Sequence, residues 1–405
     1  MRAKPPSMTR SSCRRPNGVG RHHRAMTAHA HLSSEREEVS VSTLELFFDL
    51  VFVFTLTQLT QLLTAEPTLE GVLRVVLMFV VLFWMYGGYV WLTNRVPPND
   101  NTRRLLMIGA MGAFLMCALA VPSAFGGGGL ILGLGYLLVV LVHIGLYTPV
   151  LGRSVAISFG SFNILTAVTV LVAALLPTPA SYVFWVLALV IQYFTQARAS
   201  SSAGSFEIQA GHFVERHGLL LIVALGESVV AVGIGIGELP LDPGVIGAAL
   251  LGLALSAALW WSYFAADDEQ AAQVMAAAAM ADRFRLAIAG FFYAFAPMLL
   301  GIVAIAAGVK KSLGHIGEVL EPGPAVILGA GLATYLVGDA LFRRVFGMGP
   351  IAPRLVVALL ALLTVPLGLA VNAGAQLVAL VVLLVGVLAL EEVRRSRPAE
   401  APGTA

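Results

Sequence analysis

Phe213-Val-Glu215-Arg216-His217-Gly218-Leu-Leu-Leu-Ile-Val-Ala-Leu-Gly226-Glu227-Ser228-Val-Val-Ala-Val-Gly-Ile-Gly-Ile-Gly237 decides the fold. From Gly218 to Gly237 the one ionisable side chain is Glu227. A helix rising 1.5 Å per residue crosses a hydrocarbon core of about 30 Å in roughly 20 such residues. Runs of this kind recur along the whole chain. Twelve are read: Leu44–Thr64, Gly71–Thr93, Leu105–Val121, Leu130–Tyr147, Ala156–Leu176, Tyr182–Ala197, Phe213–Gly237, Val245–Ala265, Phe284–Val309, Pro324–Phe342, Leu355–Val371 and Ala375–Leu390. Turn-forming stretches such as Pro97-Pro98-Asn99-Asp100, Pro177-Thr178-Pro179 and Pro240-Leu-Asp242-Pro243-Gly244 separate them.

Composition agrees. Of 405 residues, 58% are apolar and 12% charged, and the mean hydropathy is +0.86. A soluble domain carries about twice that charge. A soluble enzyme, a nucleic-acid-binding domain and a disordered scaffold are excluded. An all-α polytopic membrane protein of about twelve helices is expected, with the lipid bilayer as its main partner and no nucleic acid. Self-association into a homo-oligomer is left open. The two cysteines, Cys13 and Cys117, lie in a polar tail and an apolar run and are not expected to pair.

The expected order is a disordered tail (1–43), a first six-helix half (44–197), a linker (198–211), a second half (212–392) and a short tail (393–405). Of the 25 Lys and Arg, 22 fall on the side of the termini. The exceptions are Lys310, Lys311 and Arg74. The positive-inside rule then places both termini in the cytoplasm and the chain in the inner (plasma) membrane. The halves also echo one another. Glu45 and Glu215 open the first and seventh spans, Trp84-Met-Tyr86 matches Trp261-Ser-Tyr263, and Arg104 matches Arg285, at offsets of 170 to 181 residues. This pattern suggests two parallel six-helix repeats, against chance similarity of Leu- and Ala-rich helices.

Ionisable groups inside a membrane mark sites, because each costs at least about 2.5–3.5 kcal/mol to insert. Glu227 lies near mid-span, beside Gly226 and Ser228, and is the first candidate for a proton or cation site. The bland alternative is a protonated Glu that pins a neighbouring helix. Glu45 and Asp49, four residues apart, share a helix face, with Gln58 and Gln61 deeper on the same helix. Glu45 alone reads as a helix-start carboxylate. His212, Glu215, Arg216 and His217 read as a cytoplasmic gate together with Glu45, or as a cluster fixing the helix end. Arg104, Arg285 and Asp282 are candidate charge partners, with Arg104 or Arg285 serving Asp49 or Glu215. Asp282-Arg283 reads as a local pair, His143 as a packing residue, and Asp267-Asp268-Glu269 as an acidic loop after an aromatic belt. No zinc spacing, Walker loop or dinucleotide fingerprint occurs, so no cofactor or metal is expected.

Glu45-Leu-Phe-Phe-Asp49-Leu-Val-Phe-Val-Phe, with Phe213-Val-Glu215-Arg216-His217-Gly218, Ala224-Leu-Gly226-Glu227-Ser228 and Trp260-Trp261-x-Tyr263-Phe264, resembles the bacterial low temperature requirement A family. The resemblance spans residues 44 to about 390. It implies a polytopic inner-membrane protein with a cold-growth phenotype and adds no catalytic residues. The run Phe291-Phe-Tyr-Ala-Phe295-Ala-Pro297 departs from the family by lacking a His before the Pro. Phe48-Asp49-Leu-Val-Phe52 is also similar to the first-helix motif of a lysosomal-type potassium channel family of duplicated six-helix units. Three functions follow as expectations. The first is a proton- or cation-coupled secondary transporter or channel for a small ion or molecule. The second is an intramembrane enzyme acting on a lipid or lipophilic metabolite, needing Asp267 and Asp268, or His212 and His217, to converge on one cleft with a metal. The third is a structural or signalling protein for membrane cold adaptation.

Overall fold

Start and stop chemistry sets the helices. Ser42 caps α1 (Thr43–Ala65) through a reciprocal capping box with Glu45. Thr68, Asp100 and Asp242 cap the starts of α2 (Leu69–Arg95), α3 (Asn101–Ala120) and α8 (Pro243–Phe264), the last with Pro243 in its first turn. Between them run α4 (Gly129–Leu151), α5 (Arg153–Leu175), α6 (Ala180–Ser201) and α7 (Ala210–Ile236). After α8 come a short helix α9 (Asp267–Ala277), then α10 (Met280–Ser312), α11 (Pro322–Val345), α12 (Ala352–Ala370) and α13 (Ala373–Ser396). The computed structural model describes residues 41–151, 153–201, 208–237 and 240–396, with backbone only at 150, 151, 153–159 and 198–201.

Among the described residues the chain is all-helical. Eleven helices are long and apolar enough to cross a membrane, and α5 supplies a further apolar helix. The twelve expected spans are therefore all found as helices. The reading of 198–211 as a linker changes: α6 runs on to Ser201 and α7 begins at Ala210. The acidic loop is also corrected, since Asp267-Asp268-Glu269 forms the first turn of α9. The residue 1–40 tail, Cys13, linker residues 202–207 and tail residues 397–405 lie outside the described residues.

Apolar side chains such as Ile234, Leu359 and Val382 face outward and are more than half exposed, as a lipid-facing surface requires. Inside, α10 and α11 make the closest approach. A Cβ on Gly301 would fall 2.6 Å from the Tyr335 nitrogen, and one on Gly338 would fall 2.8 Å from the Met298 nitrogen. Only glycine lets the two backbones meet there. Upstream in α10, residues Ala289–Ala294 form a π turn. Pro297 follows, and its missing N–H leaves the Tyr293 carbonyl without its helical donor.

Helix pairings run in parallel through the two sets of six. In the first, α1 packs on α3, α3 on α4, α4 on α5, α5 on α6 and α2 on α6. In the second, α7 packs on α10, α10 on α11, α11 on α12, α12 on α13 and α8 on α13. The sets meet where α1 packs against α7 and α10. By alternation of helix direction, the starts of α1, α7 and α12 and the ends of α2, α8, α11 and α13 share one side, here called the N-terminal face.

Candidate functional site

The α1–α7 contact holds a wholly buried charge cluster at the N-terminal face. Asp49 and Arg216 are fully enclosed, and Glu45 and His212 nearly so. Arg216 reaches across from α7. Its Nη2 donates to Asp49 Oδ1 at 3.0 Å, and its Nε approaches Oδ1 and Oδ2 at 3.3 and 3.4 Å. Its Nη1 donates to Glu45 Oε1 at 3.1 Å and also to the Thr93 hydroxyl. The Tyr86 hydroxyl donates to Asp49 Oδ1 at 3.0 Å. Phe48 lies under the guanidinium at 5.7 Å and packs on Tyr86, Tyr89 and Phe114, which keeps water away and strengthens each charged contact.

Glu45 is fully satisfied. Its Oε2 accepts from the Ser42 N–H and hydroxyl, at 2.9 and 2.8 Å, and lies 3.3 Å from His212 Nε2. The His212 tautomer follows from its other neighbour. Asn94 Oδ1 accepts from the Gln209 N–H at 2.9 Å, while its Nδ2 donates to the Gln209 carbonyl at 3.0 Å. With the amide so oriented, Nδ2 faces His212 Nδ1 at 3.1 Å, and that nitrogen can only accept. His212 is therefore neutral and donates from Nε2 to Glu45. Two carboxylates then face one guanidinium, and Asp49 Oδ2, with its single long contact, is the oxygen left with room for a proton.

The expected gate divides among three places. His212 and Arg216 join Glu45 and Asp49. Glu215 is exposed: it lies one position before Arg216, and a helix turns about 100° per residue. His217 points elsewhere, packing on Phe213, Phe291 and Phe295. The candidate partners are also corrected. Arg104 is exposed and donates to the Pro98 carbonyl. Arg285 pairs with Asp282 at the surface, so neither arginine meets Asp49 or Glu215. Asp282 does not pair with Arg283, which donates to the Ala276 and Ala278 carbonyls.

Glu227 stands 17 residues into α7 and nine from its end, which is about 13 Å from the opposite face and off mid-span. It lines a small cavity of about 20 Å³ with Thr57, Thr60, Gln61, Ser228 and Lys310. Gln58 is buried beside this cavity's helix face without lining it. Among the described residues the Glu227 carboxylate makes no hydrogen bond or ion pair. Leu56 and Ala224 line this cavity, and one turn nearer the N-terminal face the buried Phe52 and Leu220 come between them and the level of Asp49 and Arg216.

Sequence reasoning passed over Tyr86, Thr93 and Asn94, and a second cluster at the same face. There Arg343 grips Asp267 from Nε and Nη2 at 2.6 and 3.2 Å. Arg354 grips Glu391 with two bonds of 2.9 Å. Arg343 also lies 3.3 Å from Glu391, Arg354 lies 3.0 Å from Asp339, and Arg395 lies 3.8 Å from Asp267. Asp267 is thus held by arginine, and His212 and His217 diverge. Among the described residues no three metal-binding side chains converge. The signal for this second cluster was a run of Arg at helix ends, which the positive-inside count absorbed.

Comparison with known proteins places the chain. The family model described as bacterial low temperature requirement A protein (LtrA) matches residues 40–389. An uncharacterised protein of Rhizobium meliloti (strain 1021) is 27% identical over 325 residues, covering 76% of this chain and 78% of that protein. No solved structure matches. The Glu45–Asp49 and His212–Arg216 segments that build the buried cluster both fall inside the matched region, and the chain belongs to the bacterial low temperature requirement A family.

Proposed function

We propose that this protein is a proton-coupled secondary transporter of the inner membrane, with Asp49 as its proton-binding group. One observation carries the reading: the α1–α7 cluster has one carboxylate more than its cations can balance, and His212 is held neutral. A proton on Asp49 Oδ2 removes the excess charge. A metal cation is a poorer fit, because the Glu45 oxygens and Asp49 Oδ1 already accept from Arg216, Tyr86, His212 and Ser42. Glu227 is the second acid. It stands 11 residues beyond Arg216 on α7, roughly 16 Å deeper. Packed side chains close the way between the two acids, so transfer requires α1 and α7 to move against each other. Those helices open the two six-helix sets, whose matching pairings support a duplicated architecture that rocks about its internal interface. The N-terminal face is cytoplasmic in this reading, from its excess of Arg and Lys.

The test is proton flux in proteoliposomes, read by an internal pH-sensitive dye across a panel of cations. Asp49→Asn keeps the shape and the Oδ1 acceptor, gives up the long Arg216 Nε contact to Oδ2, and cannot ionise. It is expected to abolish flux while leaving thermal stability unchanged or higher. Glu227→Gln is expected to reduce flux at least tenfold. Wild-type flux in the folded Asp49→Asn protein overturns the assignment.

A further inference from the structure

A second cavity, larger than the one at Glu227, lies nearer the start of α7, at Phe213 and His217. It has a volume of about 140 Å³ and is walled by α2, α4, α5, α6, α7 and α10. Its wall is largely aromatic, including Trp84, Trp91, Phe213, Phe291 and Phe292, and among the described residues no Asp, Glu, Lys or Arg lines it. A charged ligand would have nothing to balance it there. Its polar lining is His143, Asn163, Thr195, Gln196 and His217; among these His217 is 2% exposed. Its Nδ1 donates to the Phe213 carbonyl at 2.8 Å. The tautomer is thereby set, and Nε2 is left as a lone-pair acceptor with no partner among the described residues.

We infer that this cavity binds an uncharged, single-ring aromatic molecule that donates one hydrogen bond to His217 Nε2. Size supports one ring: a dry protein cavity of about 150 Å³ takes up benzene. The walls offer edge and face contacts to a ring, and the acceptor selects a phenol-type hydroxyl or aniline-type N–H over a plain hydrocarbon. The inference does not depend on the proton reading, because Asp49 and Glu227 lie outside this cavity.

The cavity can be filled without disturbing its frame. Gly87 lines it, and a Cβ at Gly87 meets nothing within 4 Å. Gly87→Leu therefore projects into open space and also favours the helix. His217→Phe keeps a ring and removes the acceptor. The full chain in lipid nanodiscs is titrated with phenol, toluene and benzoate, and empty nanodiscs are subtracted for lipid partitioning. Saturable phenol binding is expected, roughly tenfold tighter than toluene, the worth of one buried hydrogen bond, with benzoate not bound. His217→Phe should bring phenol and toluene to parity while toluene affinity holds, which a misfolded variant would not show. Gly87→Leu should abolish both. Absence of saturable phenol binding to the folded wild type overturns the site, as does unchanged phenol affinity in Gly87→Leu. Equal affinity for phenol and toluene in the wild type removes His217 from it.

Discussion

Two buried charge clusters sit on one face of this bundle, and they differ in how their charges balance. At α9, α11, α12 and α13, Asp267, Asp339 and Glu391 meet Arg343, Arg354 and, at longer range, Arg395. Three acids face three guanidiniums, two of which share Glu391. At α1 and α7, Glu45 and Asp49 share Arg216 alone, and the nearby imidazole is neutral. Burial makes this difference consequential. A buried ion with a counter-ion beside it is tolerated better than an uncompensated one, although in the first of these clusters both Asp339 oxygens are buried without a hydrogen bond among the described residues. The balanced cluster ties the end of the chain to α9 and α11 and works as a clamp. The unbalanced one sits where the two six-helix sets touch, and in the proposed reading its state depends on a proton.

The most damaging way to break the contrast is Arg216→Leu. It strips the one cation from two enclosed carboxylates and is expected to cost about 3–5 kcal/mol, read as a large fall in the thermal unfolding midpoint of the purified protein. The double variant Asp49→Asn with Arg216→Leu removes part of the uncompensated charge. It should be more stable than Arg216→Leu alone, giving a coupling energy of about 1–3 kcal/mol. Additive losses would mean that Asp49 and Arg216 do not share a charge balance.

Much of this was legible in the sequence, and the remainder failed for a physical reason. Hydropathy marks membrane helices because the bilayer imposes a length on each, so all twelve spans appear in the text of the chain. The i, i+4 spacing of Glu45 and Asp49 places both on one face, and the adjacency of Glu215 and Arg216 shows that each needs a separate environment. What the sequence withheld was the partner. Arg216 reaches Asp49 across 167 positions, and nothing in either segment encodes that meeting. Asn94 was invisible for the same reason: its role rests on two backbone bonds to Gln209, 115 positions away. Glu227 shows the opposite error. Counting from Arg216 put it near mid-span, but α7 starts at Ala210 and extends 27 residues, which shifts that acid toward the far face.

The clamp should yield in steps. In Arg343→Leu, Glu391 keeps both bonds from Arg354, and Asp267 keeps Arg395 at 3.8 Å. The loss should be about 1–3 kcal/mol, the scale of charged hydrogen bonds, and smaller than for Arg216→Leu. Arg395→Ala should be the mildest. Its side chain is 43% exposed and its contact is long, so water and salt already screen it. A cost below about 1 kcal/mol is expected, shrinking further at high ionic strength. The salt series is the sharper readout, since Arg216 is fully enclosed and its loss should be nearly independent of salt. If Arg395→Ala destabilised the protein as much as Arg216→Leu, the two clusters would be alike in depending on every cation they hold, and charge balance would not distinguish a clamp from a switch.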